Sequence, residues 1–377
     1  MKLKLKNTPE QVELIKAMGS KNNVTAREAQ EAFAAFLGPV VQQVINKAGL
    51  SGSIYTDAPF DEDDSPSYPL DLYYNNSDNH VSVWQQGMAG GLPSSHVEGM
   101  SELKIATYRL DSAVSMLRKY ARRGRLDVVS KAVERMSQEI LVKQERNAWA
   151  VVLKALSDGK GARPASATSN AHLITNAATG NSINFTLEDL NQLMMTARRL
   201  NESFDGGTPD VAYSNGLTDL YLSPERMSDV RGFVYQPMNT RKANGADIAT
   251  DAASGPVALP DAVRTDIYNS AGTTEIYGVT LNEVMELGPS KKYTKLFNEF
   301  SSFGTFADSD DLVIGLDNSK GAFIRPVAVQ SETGGTFTAL ADDQWSARSE
   351  KIGFYGSLEE GRVCIDARAI VGIHCNP

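Results

Sequence analysis

Residues 125–156 read RLDVVSKAVERMSQEILVKQERNAWAVVLKAL, and the helix they imply decides how the rest of the chain must be arranged. Neither Pro nor Gly interrupts them, and Ala, Leu, Glu, Lys, Gln and Arg, which lose little freedom in a helix, fill most positions. Leu126, Val129, Val133, Met136 and Ile140 recur at alternating spacings of three and four, which puts them on one stripe. Beyond Ile140 the stripe passes to Leu141, Ala148, Val152 and Leu156, with Trp149 beside it. Gly124 bounds the helix in front and Asp158-Gly159 ends it. At 1.5 Å per residue it spans roughly 48 Å, far beyond the usual globular helix. Such a helix has to lie along something extended, either a partner helix or a long sheet. Its stripe is too irregular for a coiled coil beyond two heptads.

The 377 residues suffice for two or three domains. A hydrophobic content of 41% with 22% charge is that of a folded, soluble chain. The net charge of −9 disfavours non-specific nucleic-acid binding by the surface as a whole. Cys364 and Cys375 are expected as reduced, packed thiols of a cytosolic environment rather than a disulfide. The opening MKLKLKNTPEQ has no apolar core of a signal peptide, and no apolar run approaches a membrane span, so no membrane partner is expected.

Residues 1–50 read as three short helices in series. The first opens at Thr8-Pro9-Glu10-Gln11, the second at Thr25-Ala26-Arg27-Glu28, and the third runs over 40–48 after Gly38-Pro39. They bury little by themselves, which suggests a detached arm exposing Phe33 and Phe36. Residues 51–106 change to Ser, Asp, Asn, Pro and Tyr, with short alternating patches around Trp84, and read as an extended β-hairpin or loop. Between Gly49 and Leu103 there is no Lys or Arg, against nine acids that include Asp61, Glu62, Asp63 and Asp64. Those acids form either a solvated loop or an arm built to lie on a basic neighbour; their spacing does not match an EF-hand. Residues 104–110 alternate as a strand and 111–120 read as helical. Arg118, Lys119, Arg122, Arg123 and Arg125 then place five cations within eight positions. This cluster is solvated, or meets an acidic segment of another subunit, or contacts nucleic acid.

The remainder is loop-rich. Residues 157–181 read as a linker and 186–200 as a capped helix. Strands are expected at 211–213, 220–222, 276–281 and 312–316, the last turning at Asp317-Asn318-Ser319-Lys320 into a strand over 322–329. Ser223-Pro224-Glu225 starts a short helix. The ending alternates over 351–355, turns at 358–361, and continues through 363–365 and 369–373. The class is α+β. His80, His96, His172 and His374 are scattered, and His374-Cys375 are neighbours that face opposite sides of a strand, so no metal site is expected. No nucleophile elbow, phosphate loop or dinucleotide fingerprint occurs, so no catalytic residue and no cofactor is assigned.

The order of elements resembles the major capsid protein of tailed bacteriophages, with the fold named after phage Hong Kong 97. Three stretches carry the resemblance: 105–156, where a strand leads through a basic segment into the long helix; LYLSPER at 220–226, a strand followed by a short helix; and the 312–329 hairpin with KIGFY at 351–355. The resemblance implies an N-terminal arm (1–50) and an extended loop (51–106). It implies a peripheral domain (107–158 and 313–363) with its spine helix at 125–156, and an axial domain (159–312 and 364–377). It further implies hexamers and pentamers closing an icosahedral shell around double-stranded DNA, in a virion assembled in the host cytoplasm. A separate scaffolding protein, a portal and a decoration protein would be its partners. The residue expected to carry the family's Lys–Asn crosslink is missing, since the loop has no Lys. An encapsulin-like cargo shell is the alternative within the fold; a hydrolase or a non-capsid virion component is the alternative outside it. On this reading Asp61–Asp64 of one subunit meet Arg118–Arg125 of the next.

Overall fold

The computed structural model describes residues 8–47, 49–61, 64–69, 102–159, 172–175, 185–200, 216–232, 274–300, 306–330, 335–342 and 350–375. In chain order the helices are α1 (Pro9–Met18), α2 (Asn23–Lys47), α3 (Arg118–Arg122), α4 (Leu126–Asp158), α5 (Leu187–Leu200), α6 (Pro224–Gly232) and α7 (Lys292–Phe300). The strands of the first half are β1 (Thr56–Asp61), β2 (Ser67–Pro69), β3 (Glu102–Lys104), β4 (Tyr108–Leu117), β5 (Leu173–Thr175) and β6 (Asp219–Leu222). Those of the second half are β7 (Thr274–Ile276), β8 (Val279–Glu283), β9 (Asp311–Leu316), β10 (Phe323–Val329), β11 (Phe337–Asp342), β12 (Lys351–Glu360), β13 (Val363–Cys364) and β14 (Ile370–Cys375). The chain forms two units, Met1–Trp149 with Phe323–Ile365 and Ala150–Ala322 with Asp366–Pro377. The division therefore falls inside α4, and β9 goes with the second unit, not at 158 and 313 as the resemblance implied.

The first unit is built on a six-stranded sheet in the order β1-β10-β12-β11, with β4 also paired to β12 and β13 to β10. β4 and β12 run antiparallel over ten residues each, from Tyr108 opposite Glu360 to Leu117 opposite Lys351. One face of this ribbon carries Val114, Met116, Ile352, Phe354 and Leu358 into a core shared with Val129, Val133, Met136 and Ile140 of α4. The stripe read from the sequence thus lies against a long sheet. Residues 111–117, expected as helix, are strand instead: the alternation of Leu110, Val114 and Met116 toward the core outweighs their individual helix propensities.

The same core buries Ile15, Met18, Phe33, Leu37 and Val41, so α1 and α2 are part of the first unit and not a detached arm. Phe33 is 3% exposed, its ring 5.2 Å from that of Phe354. The two helices expected on either side of Gly38-Pro39 are one, and it begins at Asn23, where Asn22 Oδ1 accepts from the Val24 amide. Pro39 sits inside it at a residue open to solvent, and burial of Leu37 and Val41 on the opposite side holds the helix through the proline. Of the expected extended loop, 56–61 instead form β1, paired in parallel with β10 from Thr56↔Ile324 to Asp61↔Val329. β2 and β3 pair antiparallel as a separate two-stranded sheet. Trp84, His80, His96 and the strand expected at 211–213 lie outside the described residues.

The second unit holds a six-stranded mixed sheet, β5-β14-β9-β6-β8-β7. β9 pairs with β14 and β6, while β10 pairs with β1, β12 and β13, so 312–329 is not a hairpin. Gly321, at φ +56°, ends the 3-10 turn between the two strands. The single strand expected at 276–281 is a hairpin, turned at Tyr277-Gly278 with φ of 52° and 78°. α5 packs on this sheet through Leu193, whose Cδ2 lies 2.8 Å from where a Cβ on Gly315 would be. The C-terminal end of α4 does the same through Leu156 at Gly372, 2.8 Å.

Candidate interaction surfaces

Of the five clustered cations, two are spent within the chain. The Arg118 guanidinium donates to the Ser20 carbonyl, and Arg122 Nε donates to the Gly19 carbonyl at 2.8 Å. Both therefore sit at the C-terminal end of α1, where cations offset the helix dipole and satisfy exposed carbonyls. The approach is close enough that a Cβ on Gly19 would lie 2.6 Å from the Arg122 backbone nitrogen. Lys119, Arg123 and Arg125 are exposed. Gly124, at φ +63°, closes α3 with its amide donating to Ala121 O at 2.8 Å, and the Arg125 amide donates to Tyr120 O at 3.1 Å.

Asp61 ends β1 and is exposed, its carbonyl accepting from the Asp64 amide at 2.9 Å. Asp64 is exposed too, and its Oδ1 accepts from the Ser65 amide at 2.8 Å. Glu62 and Asp63 lie outside the described residues. Within one chain the described residues hold no ion pair between these acids and the basic segment.

A buried polar cluster that sequence reasoning missed fixes the segment leading into β1. Ser51 donates from its amide and its hydroxyl to Glu145 of α4, both at 3.0 Å. Tyr55 is buried, donates to Ala148 O at 2.9 Å, and meets Phe323 edge-on with ring centroids 5.5 Å apart. Asp57 pairs with Arg325 at 3.3 Å, and Arg325 Nε donates to the wholly buried Glu360 at 2.8 Å. Glu360 also accepts from Tyr108 and from Gln144, each at 3.0 Å, and faces Arg362 at 3.5 Å. Burial, then the nearby Glu360 charge, push the Tyr108 phenol up to about 12. Burial raises Tyr55 further, opposed by Arg362. These partners lie up to 268 residues apart, so no spacing could have signalled them.

The other face of the β4–β12–β11 ribbon carries Leu340, Tyr355 and Ala113 in one cross-strand row. Leu340 is 55% exposed and Leu117 45%. Beside them Arg109 pairs with Asp111 at 2.9 Å and donates to the Tyr355 hydroxyl at 3.2 Å. On α2, Phe36 is 47% exposed as expected.

In the second unit the polar side chains are tied into structural pairs. Buried Asp311 accepts from the Ser223 hydroxyl at 2.6 Å and from Arg226 Nε at 2.9 Å. His374 is held 2.7 Å from Asp310, with its ring 4.9 Å from that of Phe306, so hydroxyl and imidazole have separate partners. His172 Nδ1 lies 2.7 Å from Ile370 O. The buried Cys375 thiol is pushed up to about 12, which suits packing and not nucleophilic attack. Among the described residues no group of three or more His, Cys, Asp and Glu is placed to hold a metal ion, and no helix is long and apolar enough to cross a membrane.

No family model and no curated protein matches the sequence. Solved structures with a similar fold include the capsid of the cyanophage P-SCSP1u, at 13% identity and TM-score 0.47, covering 88% of this chain and 89% of that one. The capsid of an empty GTA particle is similar at 12% identity and TM-score 0.48, over 86% of this chain and 88% of that one. An encapsulin from Synechococcus elongatus is similar at 11% identity and TM-score 0.39, over 74% and 76%.

Proposed function

We propose that this chain is a shell subunit of the Hong Kong 97-like kind, the major capsid protein of a tailed bacteriophage. The observation that carries the reading is α4 itself. A 33-residue helix is shared between two units, each closed by strands returning from the end of the chain, with the two-stranded β2–β3 sheet coming between β1 and β4 in the chain. The first unit would be the peripheral domain and the second the axial domain. Exposed Phe36, Leu117 and Leu340 support burial against further copies of the chain, and Asp61 and Asp64 are available to a neighbour. Hexamers and pentamers would be the building blocks, with a scaffolding protein, a portal and a decoration protein as partners, double-stranded DNA inside, and assembly in the host cytoplasm. Its role would be structural, without a catalytic centre.

Electron microscopy and light scattering of the purified chain test this. Closed particles are the expected result. A sole compact species of 40.8 kDa at every concentration would overturn it. Particles holding protein cargo and no DNA would transfer the chain to the encapsulin-like alternative.

A further inference from the structure

With Arg118 and Arg122 committed to α1, the neighbouring cations acquire a separate meaning. Lys119, Arg123 and Arg125 are exposed, and one face of α4 continues the series with exposed Lys131 and Arg135. Those two are four apart, so their side chains rise from the same face about 5–6 Å from each other. No carboxylate of the described residues pairs with any of the five, whereas the exposed Arg27, Arg109 and Lys154 are each neutralised by an acid two or four positions away. Residues 119–135 carry six cations, Arg122 included, against the two acids Asp127 and Glu134; six minus two leaves four positive charges in a chain whose net charge is −9.

We propose that Lys119, Arg123, Arg125, Lys131 and Arg135 form a platform for the phosphates of duplex nucleic acid, contacted without regard to sequence. Two observations favour phosphate over an acidic protein surface. A protein interface is centred on apolar and aromatic side chains, and no large apolar side chain is exposed between Lys119 and Arg135 among the described residues; exposed Leu117 and Val142 lie outside the five cations, not among them. The platform is also held in shape by backbone and by the α1 cap, with Gly124 fixing the turn, so the cations need not be ordered by their partner. Phosphate contacts need only charge at suitable spacing, because they position a duplex and read no bases. In a shell these contacts would be made with the packaged duplex. That role rests on the function proposed above, although the binding itself does not.

The test uses the purified full-length chain and a labelled ~30-base-pair duplex of arbitrary sequence, followed by fluorescence anisotropy. For about four phosphate contacts, binding should weaken on the order of 100-fold between 50 and 200 mM salt. The variant combining Lys119→Gln, Arg123→Gln, Arg125→Gln, Lys131→Gln and Arg135→Gln should lose most of that salt dependence with unchanged circular dichroism. Replacing the exposed Lys291, Lys292 and Lys295 by Gln should leave it intact. Equal binding by the five-site variant and the parent would overturn the proposal, as would absence of salt-dependent binding by the parent. A five-site variant that still binds duplex but no longer forms particles would assign the cations to an acidic segment of a neighbouring copy. If the parent binds duplex through these residues yet never forms particles, the platform stands and the shell reading falls.

Discussion

The guanidinium carbon of Arg362 lies 4.7 Å over the ring of Tyr55, while the Tyr55 hydroxyl donates to Ala148 O in α4. One aromatic side chain thus ties the segment before β1 to the long helix and to the end of the sheet. No residue of β1 itself is buried, its side chains being exposed or half-exposed. Tyr55→Ala should therefore cost about 3–5 kcal/mol, the usual cost of emptying a buried aromatic site. Tyr55→Phe keeps the ring and should cost only about 1 kcal/mol. Urea melts of both variants give the comparison, and equal losses would place the anchor elsewhere.

Glu360 is wholly buried between Arg325, 11% exposed, and Arg362, 3% exposed. Glu360→Gln retains the shape, strands the buried Arg362 and leaves Arg325 only the exposed Asp57, so it should destabilise the first unit by about 3–5 kcal/mol. Its neighbour Glu359 accepts a single bond from Thr107, and Glu359→Gln should cost no more than about 1 kcal/mol. The shift in denaturant midpoint measures both.

Stability should fall at alkaline pH. A phenol raised in the folded state holds its proton after the unfolded chain has begun to lose it. The stabilisation is complete below the ordinary value of 10.0 and drains away as pH rises toward about 12 for Tyr108, with Tyr55 adding to it. After allowance for the partial exposure of Tyr108, its share is about 1–2 kcal/mol. Melting temperatures between pH 8 and 11.5 should decline, and less steeply in the Tyr108→Phe variant; a parallel decline would show that Tyr108 is not responsible.

Arg122 and Arg123 are adjacent and should behave differently. Arg122→Glu places an anion at the C-terminal end of α1, losing a charge-assisted bond and opposing the dipole, for about 1–3 kcal/mol. Arg123→Glu is exposed and should leave the subunit's stability within about 0.5 kcal/mol. Hydrogen exchange of α1 amides distinguishes them: faster exchange in the first variant alone is the expected pattern.

The parts of the fold legible in the sequence are those governed by local periodicity. Val129, Val133, Met136 and Ile140 advertised their stripe because a helix repeats within a few residues, and α1 announced its start with Pro9. Pro39 misled, since a proline usually ends a helix and only burial on either side of it overrides that rule. The start of β4 was legible from the alternation over 104–110, but from Asp111 onward it was not, because its register is dictated by β12, more than 200 positions away in the chain. The basic cluster could be seen, but its division into two capping arginines and the exposed remainder depends on where Ser20 and Gly19 end α1. Glu360 gave no sign at all, since its partners converge only in three dimensions.

The pairing of β4 with β12 also sets the timetable of folding. Tyr108 leaves the ribosome well before Glu360, its partner in the ladder, is made. At typical synthesis rates of ~5–20 residues per second the wait is on the order of 10–50 s. During it, Val114, Met116 and the apolar side of α4 have no strand to close over them, and the open edge of β4 can pair with any passing chain. Loop closure over such separations is slow as well. The nascent first unit is thus a substrate for chaperones, and chains cut short before Lys351 should accumulate as aggregates, not as folded fragments.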